Sequence, residues 1–294
     1  MCIRDRAQLR SGWDQNVEVQ SYAPEATLRA LWLAASGVTC SVEAAEDSQL
    51  PHLSPDSISR LKHLVAQLLS GVHLAHLTQR WRFMGLDFIV GPEALVPRKE
   101  TEYLCTRALH VLSEIVAHRD GATVIEPCTG SGNLAISLAY YEPTCEVFAS
   151  DLSENALQLA TRNASSLHLM NRIRFYAGDL LSPFERLFAR RKADLLVCNP
   201  PYISAAKLDT NSRHVLKYGP RMAFDGGPFG LSIVNRLIED GPRLLKPNSY
   251  LCFELGIGQG DCIARMMRRM PSFVEVRVET DPATGTPIII SRTS

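Results

Sequence analysis

Asn199-Pro200-Pro201-Tyr202 is the stretch of this chain whose residue types combine into chemistry. It follows an apolar run, Ala193-Asp194-Leu195-Leu196-Val197-Cys198, that reads as a buried strand. The tetrad therefore falls at a strand's carboxyl end, where open α/β sheets bind their ligands. The paired prolines fix the backbone, offer no N–H and end the ladder. What remains is the Asn199 amide, the Pro200 carbonyl and the Tyr202 ring on a stiff turn, a set suited to gripping a planar NH2-bearing group. Alone, Pro-Pro after a strand is an ordinary turn, with Asn and Tyr as ordinary turn residues. The rest of the chain gives it weight.

A second strand-to-loop junction lies upstream. Val124-Ile125 runs into Glu126-Pro127-Cys128-Thr129-Gly130-Ser131-Gly132-Asn133 and then an apolar helix from Leu134 to Leu138. Gly130 and Gly132 allow close approach of backbone to a ligand, although Ala135 stands where the full G-x-G-x-x-G fingerprint needs its last glycine. About twenty positions on, Asp151 closes the next strand, Cys145 to Ser150, where a carboxylate accepts ribose hydroxyls. Asp179 ends a third strand, Arg172 to Tyr176, and is placed to accept an exocyclic adenine amine. Each acid singly could be a helix cap or a surface charge. Glu126, Asp151 and Asp179 at successive strand ends disfavour a phosphate and favour a nucleoside carrying positive charge, for which the sulfonium of S-adenosylmethionine fits.

These residues need a scaffold, and the periodicity supplies one. From Thr123 strands and helices alternate, the mark of a doubly wound parallel sheet. Ser153 is a cap for the helix carrying Leu157, Ala160, Ala164 and Leu167. A helix from about Leu231 to Glu239, a strand from Tyr250 to Glu254 and two last β segments near 272–279 and 286–291 complete the α/β domain. Before it, Leu95 to Glu102 leads into a helix with Leu104, Ala108, Val111 and Ile115 on one face, which sets Arg98 and Thr101 at a helix start with free N–H groups. Trp81, Phe83, Leu86, Phe88 and Val90, punctuated by Gly85 and Gly91-Pro92, read as a β-hairpin. Ala26 to Ala35 is a helix stopped by Ser36-Gly37, and a second helix starts near Ser57 with a stripe of Ile58, Leu61, Val65, Leu68 and Val72. The expected organisation is a helical N-terminal substrate-recognition domain over 7–78, a hairpin linker over 79–96 and a catalytic domain over 97–294.

Composition bounds the remainder. Of 294 residues, 46% are hydrophobic and 21% charged, and the formal net charge is +0, which argues against a general electrostatic grip on nucleic acid. Eight cysteines occur with no C-x-x-C pair, so neither a disulfide framework nor a metal site is expected, and His73 with His76 read as ordinary helix or loop residues. No apolar run suffices for a membrane span and the N-terminus lacks a signal core, so a cytoplasmic protein without membrane contact is expected; a monomer is expected separately. Met1 to Arg6 resembles no fold element and reads as a remnant.

Six ordered motifs carry a resemblance over roughly residues 76–294. They are Phe83-x-Gly85-Leu86-x-Phe88-x-Val90, Leu95-Val96-Pro97-Arg98-x-Glu100-Thr101-Glu102, Glu126-x-x-Thr129-Gly130-Ser131-Gly132, the tetrad, Asp225-Gly226-Gly227-x-x-Gly230-Leu231 and Glu254-x-Gly256-x-x-Gln259. The chain resembles the S-adenosylmethionine-dependent methyltransferases that modify glutamine side-chain amides in proteins, above all those acting on peptide chain release factors. The resemblance implies a seven-stranded Rossmann-like sheet, a helical N-terminal domain, a hairpin and the Gly-Gly-Gln loop of a release factor as partner. It implies cofactor binding by Glu126, Thr129, Gly130, Ser131, Gly132, Asp151, Leu152, Asp179, Leu180 and Asn199, with Phe83 close by. Catalysis is expected at Asn199, Pro200 and Tyr202, and substrate binding at these with Pro201, Arg98 and Thr101. Ribosomal-protein glutamine methylation, or methylation of adenine N6 or guanine N2 in nucleic acid, is the alternative.

Overall fold

Gly37 takes φ 93° and closes α1 (Pro24–Ser36), the first helix among the described residues, on the Ala34 carbonyl, as the glycine stop predicts. The computed structural model describes residues 22–215 and 217–294. The chain divides into two compact units, one running to Pro92 and the other spanning Glu93–Ser294. In the first, α1 buries Leu28, Leu31 and Leu33 among α2 (Val42–Glu46), α3 (Pro55–Leu69) and α4 (Leu74–Thr78). Ser54 caps α3 by accepting the Ser57 N–H, so the helix begins earlier than its apolar stripe suggests. Ser57 takes the inward place in that first turn, and Ile58 is 43% exposed, a correction to the expected stripe; Leu61 and Leu68 are buried. Expected structure before residue 22, including the domain start at 7 and the Met1–Arg6 remnant, lies outside the described residues.

The hairpin pairs β1 (Arg80–Phe83) with β2 (Leu86–Ile89). Met84 and Gly85 both adopt positive φ, 50° and 76°, the two-residue turn that matches strand twist. The hairpin lies within the first unit. Trp81 packs its ring 5.1 Å from that of His73, and Phe83 meets Phe88 edge to face at 6.1 Å.

The second unit is built on a seven-stranded sheet. Its strands are β3 (Ala122–Pro127), β4 (Cys145–Asp151), β5 (Ile173–Ala177), β6 (Ala193–Cys198), β7 (Leu245–Glu254), β8 (Phe273–Thr280) and β9 (Pro287–Thr293), in spatial order β5-β4-β3-β6-β7-β9-β8. All pairings are parallel except those of β9. The order reverses between β3 and β6, whose carboxyl ends open a crevice between them. Both strands are buried throughout, because helices cover the sheet centre on both faces. Ser153 is a helix cap as expected: its side chain accepts the Ala156 N–H at the start of a helix spanning Glu154–Ser166. The helix Thr101–Val116 does not begin with free N–H groups. Thr101, Glu102 and Tyr103 donate to the Arg98, Lys99 and Glu100 carbonyls, so a tight turn uses up those donors. No helix among the described residues is long and apolar enough to cross a membrane.

Asp194 is the polar exception inside β6. Its carboxylate accepts the Thr123 N–H at 3.0 Å and Lys246 Nζ at 2.7 Å, and pairs with Arg119, tying β6 to β3 and β7. Replacing Asp194 with Ala would strand the buried Thr123 donor, and we expect a loss of about 2 kcal/mol of stability. An unchanged denaturation midpoint would contradict this.

Candidate active site

The crevice holds a cavity of about 210 Å³, against the roughly 10–15 Å³ that a single water requires. Asp151, at the end of β4, forms its rim. One carboxylate oxygen accepts the Gly130 N–H at 2.8 Å and the other the Ser153 N–H at 2.9 Å, so each keeps a lone pair for a ligand. Burial pushes this carboxyl up, and the backbone N–H groups of Ser153 and Gly130 pull it back. Glu126 ends β3 almost fully buried, its Oε2 accepting Thr129 Oγ1 at 2.7 Å and the Ala135 N–H at 3.0 Å. Its pKa is raised by burial, partly offset by those bonds. The two acids thus shape the glycine-rich loop as well as the cavity.

Asp179 lines the same cavity, with its carboxylate gripped by Arg236 at 2.8 and 3.1 Å. Arg236 lies in a helix spanning Ser232–Asp240, and no sequence signal joined the two. Thr129, Gly130, Ser131, Leu152, Leu180 and Asn199 also line the cavity; Gly132 does not. At φ 81°, a Cβ on Gly132 would lie 3.0 Å from Ala160 Cβ, so helix packing requires glycine here. Phe83 sits on the hairpin of the first unit. Of the lining residues Arg98 is the one base, and it is held at 2.5 Å by Glu100. An acid-dominated wall with carboxylate lone pairs fits a nucleoside bearing a sulfonium and does not fit a polyphosphate.

The tetrad follows β6 directly. A smaller cavity beside the first is lined by Arg98, Asn199, Pro200, Pro201 and Tyr202, among others. Asn199 Nδ2 donates to Thr101 Oγ1 at 2.9 Å, and Thr101 Oγ1 to Glu254 Oε2 at 2.8 Å. Tyr202 OH donates to the other Glu254 oxygen at 3.0 Å. Glu254 is wholly buried at the end of β7, a site residue recognised in sequence only as part of a motif. Its signal was the one that marked Asp151: an acid closing an apolar strand. Two further motifs brace the turn. Gln259 Nε2 donates to the Tyr202 carbonyl at 3.2 Å, and a Cβ on Gly230, at φ 72°, would lie 2.2 Å from that same oxygen. Neither Asn199 Oδ1 nor the Pro200 carbonyl accepts a hydrogen bond among the described residues.

Residues 118–273 match the family described as a methyltransferase domain. The chain is 36% identical over 231 residues to the release factor glutamine methyltransferase of Moorella thermoacetica, covering 79% of this chain and 78% of that one. Against the enzyme of the same name from Bacillus subtilis it is 34% identical over 229 residues, 78% of each. The chain belongs to the release factor glutamine methyltransferase family. Its fold is also that of the N-terminal domain of human METTL16 in complex with SAH, with a TM-score of 0.52 at 16% identity over 79% of this chain and 83% of that one. A family member of this kind is a methyltransferase that uses S-adenosylmethionine, in keeping with the acid-lined cavity. Removing the Asp151 carboxylate by substitution with Ala is expected to weaken S-adenosylmethionine binding about tenfold or more, since a charged acceptor is lost. Titration calorimetry giving an unaltered affinity would take Asp151 out of the cofactor site.

Proposed function

We propose that this methyltransferase modifies the side-chain amide nitrogen (N5) of a protein glutamine, that of the Gly-Gly-Gln loop in peptide chain release factors. The observation that carries the reading is the pair of unmet acceptors, Asn199 Oδ1 and the Pro200 carbonyl, beside the acid-lined cavity. A primary amide presents two N–H groups in one plane, and two fixed acceptors can hold both. The amide nitrogen is a poor nucleophile because its lone pair is delocalised into the carbonyl, so fixing its approach supplies several kcal/mol, on the order of other positioning effects. S-adenosylmethionine, when bound, supplies the electrophilic methyl group.

Tyr202 walls the amide plane and excludes water. Its phenol is held protonated, since burial and the adjacent Glu254 charge both raise its pKa; it is a donor to Glu254 and no base. Thr129, Gly130, Ser131 and Leu180 complete the cradle around Asp151 and Glu126, with Leu152 and Asp179 at its mouth. In this reading the protein acts as a cytoplasmic monomer on a protein substrate, without direct contact to nucleic acid or membrane.

Substitution of Asn199 with Ala is expected to leave S-adenosylmethionine binding largely intact and to slow methyl transfer by about 100-fold or more. Labelled S-adenosylmethionine offered separately with release factors, ribosomal proteins and tRNA should mark the Gly-Gly-Gln glutamine. Label in RNA alone, or full activity of the Asn199 variant, would overturn the reading.

A further inference from the structure

Glu254 is buried to 0% exposure, lines neither cavity, and yet is bonded to the residues that do. Its oxygens take the hydroxyls of Thr101 and Tyr202, and Thr101 takes the Asn199 NH2. A hydroxyl has a single proton to give. An ionised Glu254 is an acceptor only, so Thr101 must direct its proton there. Toward Asn199 Thr101 then offers a lone pair, which only the Nδ2 side of the amide can use. Asn199 is left with Oδ1 facing the cavities. We propose that Glu254 and Thr101 are positioning residues that lock Asn199 acceptor-outward, so that its Oδ1 meets an N–H of the incoming substrate amide. The inference rests on the glutamine-amide reading above.

The opposite state follows from the same bonds. A proton on Glu254 Oε2 would be donated to Thr101, and the Thr101 proton would turn to Asn199 and stabilise a flipped amide. The Asn199 NH2 would then face the substrate NH2, donor against donor. Burial pushes the Glu254 carboxyl up to about 7, against the Thr101 and Tyr202 bonds and the positive charge of Arg98; Glu100 adds a push upward. These groups face Glu254 from the start of the Thr101–Val116 helix, from the tetrad and from the segment between residues 98 and 100, while β9 opposes it with Ile288. The competent form is the ionised one, so kcat should fall as pH drops through the Glu254 pKa and level off above it.

The test uses the full chain with a release factor, in wild type, Thr101→Val, Thr101→Ser and Glu254→Gln. Thr101→Val is expected to lower kcat about tenfold or more while changing S-adenosylmethionine affinity far less, by calorimetry, and Thr101→Ser to recover most of the kcat loss. Glu254→Gln should run slowly and lose the acid limb of the wild-type pH profile. The Asn199 side-chain NH2 resonances should shift with pH in the wild type with the midpoint of that limb, and stay still in Glu254→Gln. Wild-type kcat in Thr101→Val, an acid limb that survives in Glu254→Gln, or Asn199 resonances indifferent to pH would each overturn the inference. If Thr101→Val fails to fold, Glu254→Gln and the resonances decide. A wild type that methylates no glutamine would sink the functional reading instead, and the Asn199 resonances would still judge the lock.

Discussion

A carboxylate removed from water needs its hydrogen bonds, and Glu254 receives them from two hydroxyls on elements far apart in the chain. Leaving either oxygen unmet in such a place costs about 1–3 kcal/mol, more for a charge. The helix start at Thr101, the end of β7 and the tetrad are therefore drawn to one point. Asn199 is joined to that point through its Nδ2 bond to Thr101. Gln259 donates to the Tyr202 carbonyl and Gly230 packs so close to it that no side chain fits, so motifs scattered over about 160 positions of sequence meet in a single piece of architecture.

The site separates two electrostatic tasks. Carboxylates at the ends of β3 and β4, with Asp179 beyond β5, face the cavity that suits a cationic nucleoside. Asn199 and Pro200, which carry neutral acceptors, line the smaller cavity proposed for an uncharged amide. Putting a carboxylate in the second position would favour a cationic amine over an amide, whereas neutral acceptors match an NH2 without introducing a charge to be desolvated. The parallel sheet makes the separation possible because each strand delivers one side chain to the same edge, at the spacing between strands.

Much of the site was legible in the chain itself. The tetrad, the glycine-rich loop and Asp151 stand where an apolar strand stops, and strand ends are visible from composition because buried parallel strands are continuous apolar runs. The same logic would have singled out Glu254 by its position after Tyr250 to Phe253, but burial without a cavity is not a linear property. Other features had no linear trace. The grip of Arg236 on Asp179 joins residues 57 positions apart. Ile58 continues a helical stripe in sequence yet faces solvent, since what covers a helix depends on its neighbours, not its period.

Residue order alone determined an α/β sheet with a Pro-Pro turn at one strand end and acids at its neighbours, because periodicity, proline and glycine act locally and leave their mark on neighbouring positions. Tertiary structure decided which way the Asn199 amide points, what Gly132 is for, and that the donors at the start of the Thr101 helix are already taken. Those outcomes depend on hydrogen-bond direction and on contacts within a few ångströms across the fold, and neither is written in the spacing of residues along a chain.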